Sequence, residues 1–153
     1  MFERFMEFME NLGGGSKPEK ALDTQDPRVA AAALMFAVMD ADGSRLDVEK
    51  AALSQALAAH FGDSGEALQE VLSAGEEAEN GSVDLYQFTS ILLRELDEQH
   101  RLMLVEALWE VVYADRELHE LEDNLVWRIC DLLGVSSRER VLLKKKVAVR
   151  ATG

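Results

Sequence analysis

A chain of 153 residues is one domain's worth, and its 48% apolar and 29% charged content is ordinary for a soluble globular protein. The net charge of −13 is uneven: residues 138–153 hold six basic side chains against Glu139, so a +5 tail follows a body at −18, which repels phosphate backbones and excludes nucleic acid as a partner. The single cysteine, Cys130, forbids an internal disulfide, and with no secretory leader in "MFERFMEFMENL" it points to a reducing, cytoplasmic compartment.

Helical spacing dominates from the N-terminus on, and strand signals are weak. Residues 1–12 place Phe2, Phe5, Met6, Met9 and Leu12 on one face of an amphipathic helix. Residues 13–26, "GGGSKPEKALDTQD", read as a flexible linker. The remaining 27–153 form the main helical domain. Asp26 followed by Pro27 is an N-cap with proline at the first helical position, predicting a helix over 27–40. Its apolar run Val29–Met39 is too short to cross a bilayer and suits a central buried helix. Further helices are expected over 48–61, 65–77 and 85–95, capped by Asp47, Ser64 and Asp84. Asp97 caps a long helix to about 114, with Leu102, Val105, Trp109 and Val112 on its core face. The next runs from His119 or Glu120 to Gly134, a residue suited to a left-handed C′ position, with Leu121, Leu125, Ile129 and Leu132 as its core face. Ser136 and Glu139 form a capping box for the last helix. The fold class is therefore all-α, a compact bundle of seven or eight helices, with short connections that favour packing between chain neighbours.

The stretch "MDADGSRLDVE" (39–49) resembles a calcium loop but fails the EF-hand template. Counted from Asp40, Asp42 and Ser44 fall at ligand positions 3 and 5, yet Arg45 stands where glycine is needed and Ala51 where the bidentate glutamate belongs. A second candidate, residues 76–88, has Gly81 in place but Ala78 and Gln87 at ligand positions; it reads better as a glycine turn.

The acidic stretch has an echo. "ADGSRLDVE" (41–49) aligns without gaps on "ADRELHELE" (114–122), 73 residues later. Asp42 falls on Asp115, Asp47 on Glu120, and Glu49 on Glu122. Each copy follows one apolar helix and precedes another, so the fold contains two related helix–acidic turn–helix units about an internal pseudo-twofold. This pattern, together with "ICDLLGVSSRE" near the end, resembles the tellurite-resistance protein B (TerB)-like family over residues 27–149. The resemblance implies an all-helical bundle, a role in tellurite and other stress resistance, and metal sensing near the membrane. One departure is that Arg116 replaces the glycine that follows the aspartate, whereas Gly43 keeps it.

Two readings of the acids stand side by side. Asp42, Glu49, Asp115 and Glu122, with Asp40, Asp47, Glu120 and His119 beside them, converge as a hard-cation site for calcium, magnesium or manganese. Alternatively the aspartates bond turn amides, the glutamates favour helix N-termini, and the chain is a protein-docking domain that binds no ion. No thiol is close enough in sequence for structural zinc. The three histidines lack catalytic spacing, "GGGS" follows no strand, and Cys130 sits in an apolar helix, so no enzyme chemistry is indicated. A protein partner or self-association fits the exposed acids. For the N-terminal helix, folding back on the body or pairing with another copy is favoured over an anionic membrane, because Glu3, Glu7 and Glu10 outnumber Arg4.

Overall fold

The computed structural model describes residues 3–12, 26–41, 51–56, 59, 65–80, 85–113 and 120–152, the side chains of 65–68, 120–122 and 150–152 excepted. The fold is an all-α bundle: α1 (Glu3–Asn11), α2 (Pro27–Asp40), α3 (51–56), α4 (Gly65–Asn80), α5 (Tyr86–Glu95), α6 (Glu98–Val112), α7 (Glu120–Leu132) and α8 (Ser137–Thr152), with no strand among the described residues.

Several boundaries follow from local chemistry. Asp26 accepts from the Arg28 amide at 2.8 Å and opens α2, while its carboxylate pairs with the buried Arg28 guanidinium at 2.9 Å. Asp97 opens α6 by accepting from the His100 amide at 2.9 Å. That bond, then one to the imidazole, holds the Asp97 carboxyl below its usual range. The α7 helix closes in a Schellman motif: Val135 donates to the Cys130 carbonyl, Gly134 to that of Asp131, and Gly134 takes φ 72°. Ser136 Oγ then accepts from the Glu139 amide to start α8.

Two expectations need correction. The α4 helix does not stop at residue 77 but runs through Glu79 to Asn80, so "ENG" ends it later than its glycine alone suggested. This also excludes a loop conformation for 76–80, the first part of the second EF-hand candidate. On α7 the buried side chains are Val126, Ile129 and Cys130, with Leu133 just past its end; of the expected face Ile129 is among them, Leu125 and Leu132 are half-buried, and the Leu121 side chain lies outside the described residues. The caps assigned to Asp47, Ser64 and Asp84, and the linker up to residue 25, lie outside the described residues.

Helix α2 organises the bundle. Every residue from Val29 to Met39 is buried, so it has no solvent face and must be surrounded. Helices α4, α5, α6 and α7 pack on it, and among the described residues its packing with α4 is the most extensive. Of the expected pairings of chain neighbours α6 with α7 is present, and packing between non-neighbours is the more extensive among the described residues. The α2–α4 approach is close because Gly75 meets Ala32: a Cβ on Gly75 would lie 2.4 Å from Ala32 Cβ and 3.0 Å from backbone atoms of Ala32 and Ala33.

The 73-residue repeat extends beyond the acidic segments. Shifted by that amount, α2, α3 and α4 fall on α6, α7 and α8 within two residues of their observed starts or inside their spans. Ala31, Ala32, Leu34, Met35, Phe36, Val38 and Met39 fall on Leu104, Val105, Ala107, Leu108, Trp109, Val111 and Val112, and every one is buried. Packing repeats as well: α4 packs on α2 as α8 packs on α6, and α5 packs on α2 as α1 packs on α6. Each unit's leading helix thus lies on the other unit's central helix.

The N-terminal helix therefore folds back on the body. Phe5, Met6, Phe8 and Met9 are buried, and the Arg4 amide at the start of α1 donates to Glu110 Oε1 at 3.2 Å. That bond supplies an acceptor to a helix terminus that lacks one. The Glu110 carboxyl is pushed up by burial, and the Arg4 amide opposes the rise.

Two substitutions test this packing. Phe8→Ala removes a fully buried ring and should cost about 3–5 kcal/mol in denaturant unfolding; an unchanged midpoint would mean that α1 does not belong to the core. Gly75→Ala ordinarily favours a helix by about 1 kcal/mol. Here it should destabilise by about 1–3 kcal/mol, as overpacking does, and Ala32→Gly should recover part of the loss in the double variant.

Candidate functional site

Of the residues the sequence singles out, Asp40 is the one with a described side chain. It is the last residue of α2 and is exposed. Asp42, Asp47, Glu49, Asp115 and His119 lie outside the described residues; Glu120 and Glu122 lie in the first turn of α7, where only the backbone is described. Among the described residues no group of three or more His, Cys, Asp or Glu is placed to hold a metal ion.

Asp40 nevertheless marks an electronegative end of the bundle. Glu79, in the last turn of α4, has its carboxyl raised above the usual range, first by burial, then by the charge of Asp40, then by Glu76. The carboxyl termini of α2 and α4 add to the same field. The first acidic segment leaves α2 at this end, immediately after Ala41.

The second unit is built differently where its acidic segment leaves α6. Trp109, Tyr113 and Trp127 form an aromatic group, with Trp109 and Trp127 edge to face at 5.7 Å between centroids and Trp109 and Tyr113 at 6.3 Å. Lys144 Nζ lies 5.2 Å from the Trp109 ring and 5.4 Å from the Trp127 ring, and pairs with Asp123 at 2.8 Å. Arg140 covers Trp127 at 5.2 Å and pairs with Asp131 at 2.6 Å. Two α8 cations are thus held against α7 by carboxylates and ring faces, which ties the last helix to the bundle. Among the described residues the buried Trp109 Nε1 has no hydrogen-bond acceptor.

Sequence reading placed Trp109 in the core but missed this cluster. Lys144 sits inside "KKK" and reads as part of a solvated basic tail. The available signal was the repeat, which puts Lys144 at the position of the buried Val71. Cys130 is fully buried and its thiol is pushed up to about 12 by desolvation, so it carries no thiolate at neutral pH. His100 bonds Asp97 through Nδ1 at 2.6 Å.

These features define a class: an all-α bundle of two interlocked units, each with an acid-rich segment following its central helix. The family model for tellurite resistance protein TerB matches residues 28–145, most of the chain, and the chain belongs to that family. No curated protein and no solved structure matches it. The match covers α2 to α7 and the first half of α8; α1 precedes it.

The raised Glu79 carboxyl gives a signed pH prediction. In the unfolded chain this group loses its proton more readily, so its ionised form opposes folding at neutral pH. Glu79→Gln should raise the melting temperature at pH 7, and the difference should close as pH falls below the ordinary glutamate range. A variant less stable than wild type at pH 7 would show that the Glu79 carboxylate is instead stabilised by a cation or donor.

Proposed function

We propose that this chain is a non-enzymatic, cytoplasmic stress-response module of the TerB family that responds to a hard divalent cation through its two acidic segments. The observation that carries the reading is the repeat itself. Asp42 and Asp115, Asp47 and Glu120, and Glu49 and Glu122 recur acid for acid, after the ends of two helices whose buried faces also correspond. Solubility alone asks for no such register. Carboxylates with turn carbonyls suit calcium, magnesium or manganese rather than a thiophilic metal.

The units are unequal in this reading. The first keeps Gly43 after its aspartate and emerges beside Asp40, Glu76 and Glu79; the second has Arg116 there and follows the Lys144–Arg140 cluster. The first segment is therefore the tighter site, with Asp42 and Glu49 as its main ligands and Asp40 and Asp47 beside them. Asp115 and Glu122, with Glu120 and His119, form the weaker one. The buried thiol of Cys130 and the engagement of His100 with Asp97 support a role without catalysis.

The test is ion titration of chelator-treated protein followed by melting. An ion at 100 times its dissociation constant should add about 2.7 kcal/mol of stability. Asp42→Ala should remove most of that gain, Asp115→Ala less, and the double variant all of it. No shift with calcium, magnesium or manganese, or an equal shift in the double variant, would overturn the proposal.

A further inference from the structure

The repeat makes α4 and α8 equivalent, yet they carry opposite charge. The α4 helix holds Glu66, Glu70, Glu76, Glu77 and Glu79 and no basic residue, a net −5; α8 holds six basic residues against Glu139, a net +5. They pack on different central helices, α4 on α2 and α8 on α6. Three of the α8 cations are paired within the molecule, Arg140 with Asp131, Lys144 with Asp123 and Lys146 with Glu106, so α8 presents Arg138 and Lys145 outward while α4 presents Glu70 and Glu77.

Their outer faces also differ in shape. On α8, Arg138, Val141, Leu142, Lys145 and Val149 recur at three- and four-residue intervals and form one stripe. Val141, Leu142 and Val149 are 39%, 56% and 69% exposed, an apolar patch with basic neighbours. On the α4 side an open pocket of about 60 Å³ has Phe36, Leu53 and Leu72 as its apolar lining, with Gln69, Ser73 and Glu76 beside them. This is far below the roughly 300–1,000 Å³ of a small-molecule site, and suits an aliphatic side chain. The repeat explains the vacancy. Phe36 corresponds to Trp109 and Ser54, also at the pocket, corresponds to Trp127, so a bulky ring stands in the second unit where the first has a serine.

We propose that the α8 stripe of one molecule docks on the α4 face of a second copy of this chain, with Leu142 entering the Phe36–Leu53–Leu72 pocket and Lys145 meeting the α4 glutamates. The contact joins different surfaces of the two copies. Each added molecule leaves one α4 face and one α8 face open at the ends, so assembly proceeds head to tail rather than stopping at a twofold dimer. The net charge of −13 on each copy opposes approach. At an ionic strength of 0.15 M the screening length is about 8 Å, so the contacting faces dominate.

The experiment uses two surface variants of the full chain, Leu142→Asp with Lys145→Glu, and Glu70→Lys with Glu77→Lys, all at exposed positions. Sedimentation velocity at 0.15 M salt should show wild type growing in mass with concentration, each variant alone remaining a monomer, and their equimolar mixture regaining association. The mixture succeeds because one variant keeps its α4 face and the other its α8 face. A monomeric wild type, self-association of either variant alone, or a mixture that stays monomeric would each overturn the proposal. Loss of binding to anionic vesicles by the α8 variant, with wild type monomeric in solution, would assign the stripe to a membrane instead. If a charge reversal disturbs folding, Leu142→Cys and Ser73→Cys decide: mixed and oxidised, they should give heterodimer in preference to either homodimer, and a statistical mixture would refute the contact.

Discussion

The architecture rests on α2 having no face to give to water. Eleven consecutive buried residues, Val29 to Met39, leave nothing polar to point outward, so the helix forms only if others enclose it. Its alanines set how closely they come. Ala32 and Ala33 let Gly75 approach to a distance that leaves no room for a methyl group, and this brings α4 in as a tightly packed partner. The cost is low conformational economy: a glycine within α4 disfavours helix by about 1 kcal/mol relative to alanine, and close packing offsets it.

The corresponding helix of the second unit solves the same problem with charge. Ala33 and Ala37 of α2 correspond to Glu106 and Glu110 of α6. Glu110 accepts from the first turn of α1, and Glu106 lies 4.0 Å from Arg4 and 3.4 Å from Lys146. These two carboxylates join α6 to α1 and α8, helices from different ends of the chain. The central helices share a buried face and differ where they meet other helices.

Legibility in the sequence followed the range of the interaction. Asp26-Pro27, Asp97 and Gly134 act within a turn or two of chain, and each end they marked is where the structure has it. The repeat was legible in its acids and understated in extent, because Phe36 against Trp109 or Val71 against Lys144 conserves a position and not a residue type. Partnering across the bundle was not legible. That α1 lies on α6 and α5 on α2 depends on which apolar faces meet, and a stripe such as Phe5–Met6–Phe8–Met9 fits many partners. The acid constellation was named from spacing alone, and most of its residues lie outside the described ones.

The two units diverge most in electrostatics at the ends of their central helices. In the first, Asp40 follows the apolar run, and Glu79 and Glu76 stand near it; burial and like charge together raise the Glu79 carboxyl. In the second, Tyr113 occupies the position of Asp40, and Lys144 and Arg140 bring positive charge against Trp127, balanced by Asp123 and Asp131. A duplication that kept both ends acidic would have doubled the repulsion within a chain already at −13. Replacing one acid by an aromatic ring and one buried valine position by a lysine removes it from the second unit and leaves it in the first. The buried frame is what the two units share, and the field at its end is what separates them.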